Sequence, residues 1–127
     1  MRSVLSVLLC VVVGSACSDS LIGANVAGSW SLLDQPPGNA LTMGLTQHGS
    51  SVSGAGTWCG ELIGCGTTTI SGTASGREVH LDIIFDTGAT EHFDGELNMF
   101  SSLEGSMFFH SPGGMPQLPF AARFKRF

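Results

Sequence analysis

From Val26 onward, apolar and polar residues alternate along the chain in short segments. Clusters of Gly, Asn, Asp, Ser and Pro interrupt this alternation about every 10 residues, a spacing typical of antiparallel β-sandwiches and barrels. A period of two places successive side chains on opposite faces of a strand, and no window shows the period of an amphipathic helix. The pattern therefore predicts a single all-β domain over residues 26–127.

Eight alternating segments can be distinguished, and each has one face on which no charged side chain is predicted. In strand order, the inward-facing residues are predicted to be Val26, Gly28, Trp30 and Leu32; Leu41, Met43, Leu45 and Gln47; Val52, Gly54, Gly56 and Trp58; Thr68, Ile70, Gly72 and Ala74; Val79, Leu81, Ile83 and Phe85; Phe93, Gly95, Leu97 and Met99; Leu103, Gly105, Met107 and Phe109; and Leu118, Phe120, Ala122 and Phe124.

Two short connections indicate the register between neighbouring strands. Gly49-Ser50 and Gly76-Arg77 fit two-residue hairpin turns that begin with glycine. The first of these turns would place Gln47 opposite Val52, so that both side chains lie on the same face of the sheet.

Glycine makes up 18 of the 127 residues, well above the usual ~7%. Many of these glycines fall in the middle of the predicted inward faces, where they would only weaken a flat sheet but would let a small barrel coil. We therefore predict an eight-stranded antiparallel up-and-down β-barrel, with a sandwich as the alternative.

Residues 1–16 differ in character from the rest of the chain. Met1 and Arg2 give a basic start, an uncharged apolar run follows, and Gly14, Ser15 and Ala16 are small. This is the composition of a secretory signal peptide, and the apolar run is shorter than the ~20 residues of a membrane-spanning helix. We expect the chain to be exported and residues 1–16 to be removed.

Gly14-Ser15-Ala16-Cys17 resembles the lipobox of bacterial lipoproteins, in which the cysteine is acylated and becomes the new N-terminus. The resemblance implies a lipid such as palmitate on Cys17, a tether over residues 17–25, and a membrane-anchored protein of the bacterial cell envelope, at the outer membrane or the periplasmic face. The lipoprotein motif favours an aliphatic residue in place of Gly14, so ordinary cleavage beside Cys17 is the alternative.

Gly28-Ser29-Trp30 on the first strand, with Arg123 and Arg126 on the last, resembles the Gly-x-Trp and terminal cation pattern of the calycin superfamily, which includes lipocalins, fatty-acid-binding proteins and avidins. In lipocalins the tryptophan packs under the barrel floor with a cation across its ring. The resemblance implies a calycin-like barrel with Trp30 and Arg123 at its floor. It implies no ligand, because the chain has no Tyr and only two Trp with which to match the biotin site of avidin.

The longer connections, residues 34–39, 60–64, 88–90 and 111–116, would all lie at one end of such a barrel. Long loops on a rigid scaffold and barrel mouths are common binding sites. We expect a small apolar ligand there, and its predicted contacts are Trp58, Phe85, Phe93, Phe109 and Leu118. A barrel filled by its own side chains is the alternative. In that case the loops at residues 34–39 and 111–116, at this long-loop end, would bind a protein partner, such as an envelope enzyme that the barrel inhibits.

Asp86, His92 and His110 are predicted to form one outward row near this mouth, a set that can bind Zn²⁺ or Cu²⁺ on adjacent strands. Polar residues are also ordinary on an outer wall, so this row is only a candidate, and we expect neither a metal nor another cofactor. The chain lacks a Gly-x-Ser-x-Gly nucleophile motif, and no His falls on a predicted inward face. We therefore expect a protein that is not an enzyme.

Cys59 and Cys65 are the cysteines that remain in the predicted barrel. Two ligands are too few for a structural zinc site, and five intervening residues do not form a Cys-x-x-Cys redox motif. With Trp58 facing inward, Cys59 lies directly opposite Cys65 at ~5.5 Å between Cα atoms. The spacing therefore predicts a disulfide across a hairpin.

The formal charge of the chain is −5, and removal of Arg2 with the signal peptide would make it −6. An acidic domain of this kind argues against nucleic acid as a partner.

Overall fold

The computed structural model describes residues 25–35, 38–98, 101–110, 113 and 119–127. The predicted signal peptide, Cys17, most of the predicted tether, Met99 and Leu118 lie outside the described residues. The described part of the chain forms eight strands: β1 (Gly28–Leu32), β2 (Ala40–His48), β3 (Ser51–Gly60), β4 (Gly64–Ser75), β5 (Glu78–Phe85), β6 (Thr90–Leu97), β7 (Ser102–His110) and β8 (Phe120–Arg126).

The strands form a closed antiparallel barrel in which each pairs with the next along the chain. Pairing between β1 and β8, with Trp30 opposite Arg126, closes the sheet. The predicted up-and-down barrel is confirmed, and the sandwich alternative is excluded.

Two tight hairpins have the predicted register. Gly49 and Gly76 begin the β2–β3 and β4–β5 turns with φ values of 64° and 62°, a conformation that glycine adopts without steric cost. Gln47 consequently pairs with Val52, as predicted.

Two registers differ from the prediction. The chain turns directly after β5, where the backbone N–H of Gly88 donates to the carbonyl of Phe85 and the N–H of Phe85 donates to the carbonyl of Ala89, so Asp82 rather than Asp86 pairs with His92. In addition, β6 ends at Leu97, so that Thr90 rather than His92 pairs with His110.

The barrel interior is filled by side chains. Trp30, Phe93 and Phe124 are all completely buried, and the rings of Phe93 and Phe124 meet edge to face at 5.4 Å between centroids. Each buried aromatic or aliphatic side chain of this kind contributes about 1.5–3 kcal/mol. The interior below the mouth is therefore a packed core.

Two uncharged polar residues, Gln47 and Thr68, share the inward face. The side chain of Gln47 accepts a hydrogen bond from the backbone N–H of Val26 at 2.8 Å and donates one to the carbonyl of Gly49 at 2.9 Å. The Thr68 hydroxyl is buried, and no described group hydrogen-bonds to it. Gln47 therefore ties the chain before β1 to the β2–β3 hairpin, whereas Thr68 makes no such contact.

Inward glycines allow the strands to approach closely. A Cβ atom at Gly72 would overlap the carbonyl oxygen of His80, and one at Gly105 would overlap the carbonyl oxygen of Asp94. These neighbours are backbone atoms, so no side-chain rotation can relieve the overlap. Glycine at these positions therefore permits the tight coiling of the barrel wall.

The barrel floor is formed by Trp30 and Arg126. The guanidinium carbon of Arg126 lies 4.4 Å from the centre of the indole ring, and the guanidinium donates to the carbonyl oxygens of Ala27 and Asn25. At Gly28, a Cβ atom would lie 2.8 Å from Nη1 of Arg126. The glycine of the Gly-x-Trp motif therefore leaves room for the cation.

Arg123 does not occupy the floor, contrary to our expectation. Ala122 and Phe124 on either side of it face inward, so Arg123 faces outward, where it forms an ion pair with Asp34 at 3.3 Å. The alternation along β8 thus assigns the floor to Arg126, which pairs directly with Trp30.

Replacement of Gly72 by Ala should destabilise the barrel, because the added methyl group meets backbone that cannot move independently. We expect a loss of about 1–3 kcal/mol in the free energy of unfolding, measured by urea denaturation. Gly44→Ala is the matched control, since its Cβ atom would make only an ordinary contact at 4.0 Å. Equal stabilities of the two variants would contradict this explanation of the inward glycines.

Candidate functional site

A disulfide holds the β3–β4 hairpin at the mouth of the barrel. Cys59 and Cys65 are bonded, as predicted, with their Cα atoms 4.0 Å apart, closer than the ~5.5 Å expected for a hydrogen-bonded pair. The turn between them is also fixed to the preceding loop, because the backbone N–H of Glu61 donates to the side chain of Asn39 at 2.8 Å. The hairpin thus forms one wall of the mouth.

A cavity of about 240 Å³ opens between this hairpin and the ends of the neighbouring strands. Its volume is slightly below the ~300–1,000 Å³ usual for ligand pockets. The residues that line it are Leu32, Gln35, Asn39, Ala40, Leu41, Trp58, Cys59, Gly60, Ile63, Phe85, Glu91, Phe109 and Phe120. The cavity is therefore a shallow, mainly apolar site above the packed core.

Aromatic side chains form a continuous group along this cavity. Trp58 meets Phe85 at 6.0 Å between ring centroids, and Phe85 meets Phe109 at 6.2 Å, both edge to face. The indole N–H of Trp58 donates to the carboxylate of Asp86 at 3.0 Å. Because this hydrogen bond fixes the indole and the rings pack on one another, the apolar lining is largely preformed.

The structure brings together three of the five predicted ligand contacts, Trp58, Phe85 and Phe109. Phe93 does not reach the cavity, because it lies deeper in β6 and is completely buried in the core. Leu118 lies outside the described residues.

Ten of the thirteen lining residues are not among the predicted contacts, and two of these, Phe120 and Glu91, bear on the chemistry of the site. Phe120 was assigned to the inward face of the last strand but not to the site, and it is 42% exposed at the rim. Glu91 is not among the predicted inward residues, because the predicted inward face of the sixth segment begins at Phe93. Extending the same alternation back by one step would have identified it.

Glu91 is the one ionisable group among the cavity-lining residues. It pairs with Ile83 on β5 and with Phe109 on β7, so its carboxyl group lies among apolar side chains. Burial raises the pKa of Glu91 from its ordinary value to about 7. Within the described residues, no ion pair or hydrogen bond compensates its charge.

The predicted row of Asp86, His92 and His110 is not formed. His92 and His110 do lie close, with ring centroids 5.9 Å apart, but the register places Asp82 beside His92, at 2.6 Å between Oδ1 and Nδ1. Asp86 instead accepts the hydrogen bond of Trp58. Among the residues that the structure describes, no three His, Cys, Asp or Glu side chains could hold a metal ion together.

The outer wall carries a second pair of the same kind. Nδ1 of His80 lies 2.6 Å from Oδ1 of Asp94, and both side chains are more than half exposed. The hydrogen bond with Asp94 is the largest cause of a raised pKa at His80. The wall therefore bears His–Asp pairs in contact with solvent.

Comparison of the chain with protein-family models, curated proteins and solved structures gave no match. Within the described ranges, no helix is long and apolar enough to cross a membrane. The interpretation of the site therefore depends on its own geometry and chemistry.

Replacement of Glu91 by Gln should stabilise the barrel at pH 8 and have much less effect at pH 5. The pKa of Glu91 is higher in the folded chain than in the unfolded chain. The stabilisation that comes from protonated Glu91 is therefore complete below about pH 4.5 and is lost as the pH rises through about 7. The amide has no charge to bury. We expect a gain on the order of 2–3 kcal/mol in the free energy of unfolding at pH 8, measured by urea denaturation.

Glu96→Gln is the control for this comparison, because the Glu96 side chain is 60% exposed and paired with Arg77. Its effect should be small and similar at both pH values. A Glu91→Gln effect that does not change between pH 5 and pH 8 would contradict a half-buried, uncompensated carboxylate.

Proposed function

We propose that this barrel binds a small, largely apolar ligand in the cavity at its mouth. The observation that carries the proposal is the aromatic lining formed by Trp58, Phe85 and Phe109, preformed above a packed core. Concave, mainly apolar sites with a few polar groups are the usual form of small-molecule sites. The ligand contacts are the cavity-lining residues, without Phe93.

The size of the cavity limits the ligand. A volume of about 240 Å³ suits a molecule of about one ring with a short substituent. The packed interior leaves no space along the barrel axis for a long acyl chain, since Ile83, Phe93 and Met107 beneath the mouth are completely buried. The proposed ligand is therefore held at the rim of the barrel.

Binding can be tested with benzyl alcohol, a neutral probe of this size, by following the two indole N–H resonances in NMR spectra. The Trp58 resonance should shift on titration, whereas that of Trp30 at the floor should not. Phe109→Leu should weaken binding about three- to tenfold through the loss of aromatic contact.

Phe108→Leu is the matched control for Phe109→Leu, because Phe108 is the neighbouring outward residue and packs on His92. It should leave the affinity unchanged. The proposal fails if folded protein shows no shift at Trp58, or if the Trp30 resonance moves equally.

The proposal also includes export to the bacterial cell envelope with Cys17 acylated. The Cys59–Cys65 disulfide supports export, because such bonds persist in oxidising compartments. The contact of Arg126 with Trp30 supports the resemblance to calycins. The lipid would join the protein to the membrane, and the barrel would bind its ligand in the surrounding compartment.

The anchor can be tested by intact mass analysis of the protein purified from bacterial membranes. The expected mass corresponds to a chain that begins at Cys17 and carries acyl groups, and Cys17→Ala should release the protein from the membrane fraction. An unmodified N-terminus at Ser18 would overturn the anchor but not the ligand site.

A second candidate function is binding to a protein partner, such as an envelope enzyme, through the long-loop end. The observation that favours it is the exposure of Leu62 and Ile63, at 93% and 75%, on the disulfide-bonded hairpin. A packed barrel core fits this function as well. Failure of benzyl alcohol to bind the folded protein would favour this candidate over the first.

A further inference from the structure

Among the residues that the structure describes, the cavity at the mouth combines a carboxyl group with aromatic rings and contains no positive charge. Glu91 is its one ionisable residue, and Trp58, Phe85, Phe109 and Phe120 contribute its aromatic surface. An ionised carboxylate in such surroundings has lost hydration without gaining a partner. A ligand that supplied a positive charge would compensate it.

The cations of the described residues are positioned elsewhere. Arg77 is paired with Glu96 on the outer wall, Arg123 with Asp34, and Arg126 lies over the ring at the floor. Lys125 faces outward on β8, between the inward Phe124 and the floor residue Arg126. None of the four lines the mouth cavity, so the charge of Glu91 remains available to a ligand.

Aromatic rings are themselves favourable surroundings for an organic cation. The faces of Trp, Tyr and Phe attract ammonium groups within about 6 Å, and desolvation strengthens the attraction. Trp58 is the strongest such ring in the cavity. Its indole N–H is already occupied by the Asp86 carboxylate, an arrangement that also brings a second negative charge to the rim.

We propose that the mouth cavity binds a small organic cation with an ammonium group, with Glu91 as its counter-charge and the rings of Trp58, Phe85 and Phe109 around it. This inference rests on the proposed function, since it assigns the charge of the ligand bound at that same site. It specifies the small, largely apolar ligand as one that has a cationic end and an apolar body.

The charges around the cavity are consistent with a cationic ligand. The β3–β4 turn contributes Glu61 and the β5–β6 turn contributes Asp86, both outside the cavity lining. On β7, His110 alternates with the inward Phe109 and packs against His92 on the outer side. The formal charge of the chain is −5, and a negative field of this kind increases the encounter rate with cations.

Choline and its neutral isostere 3,3-dimethyl-1-butanol form a matched pair of probes for this inference. They have nearly the same shape, and the charge of choline does not change with pH. Titrations followed at the Trp58 indole resonance should show at least a tenfold preference for choline at pH 8. Glu91→Gln should remove this preference, whereas Glu96→Gln, on the exposed outer wall, should retain it.

The pH dependence distinguishes Glu91 from the other titratable groups near the mouth. Burial raises the pKa of Glu91 to about 7, so choline affinity should increase severalfold between pH 5.5 and pH 8 as the carboxyl group ionises. His92 and His110 also lie near the mouth, and both are retained in Glu91→Gln. The increase should therefore disappear in Glu91→Gln, and its persistence there would overturn the role of Glu91.

The outcomes separate this inference from the proposed function. If 3,3-dimethyl-1-butanol binds as tightly as choline, or if benzyl alcohol binds and choline does not, the cationic ligand is excluded while the ligand site stands. If neither choline nor either alcohol shifts the Trp58 resonance of folded protein, both proposals fail.

Discussion

Closure of the sheet is the constraint on which the rest of the structure depends. Pairing of β1 with β8 closes the sheet, so that each of the eight strands has a neighbour on both sides. A barrel of this size has an interior just wide enough for side chains to fill it. Glycine at positions such as Gly72 and Gly105 brings neighbouring strands close enough for the wall to coil. A packed core follows, and open space is left at the mouth.

Both ends of the barrel have an aromatic surface, and the two ends differ in whether a cation of the protein covers it. At the floor, the guanidinium of Arg126 covers the buried ring of Trp30, so the protein supplies its own cation to an aromatic surface. At the mouth, Trp58 and its neighbouring rings surround the carboxyl group of Glu91, and no cation of the described chain reaches them. The floor is therefore complete within the fold, whereas the mouth has a charge that a ligand can neutralise.

Stability and the proposed binding role oppose each other at Glu91. Burial of its carboxyl group among apolar side chains raises its pKa to about 7, which means that the ionised form destabilises the folded barrel. A neutral side chain at this position would avoid that cost, so the carboxyl group does not serve folding, and the proposed binding role accounts for it. Such conflicts between stability and a local side chain are characteristic of functional sites.

The sequence by itself determined the all-β fold, the inward faces and the disulfide, because a strand has a side-chain period of two and two-residue glycine turns fix how neighbouring strands pair. Only the tertiary structure decided which residues face His92, since the register there depends on where β5 and β6 end. It also showed that pairing of β1 with β8 brings Arg126 to Trp30. It also separated Phe93, deep in the core, from Phe109, and placed Glu91 in the mouth. The depth of a residue along the barrel axis depends on the stagger between neighbouring strands. The alternation of apolar and polar residues does not specify this stagger.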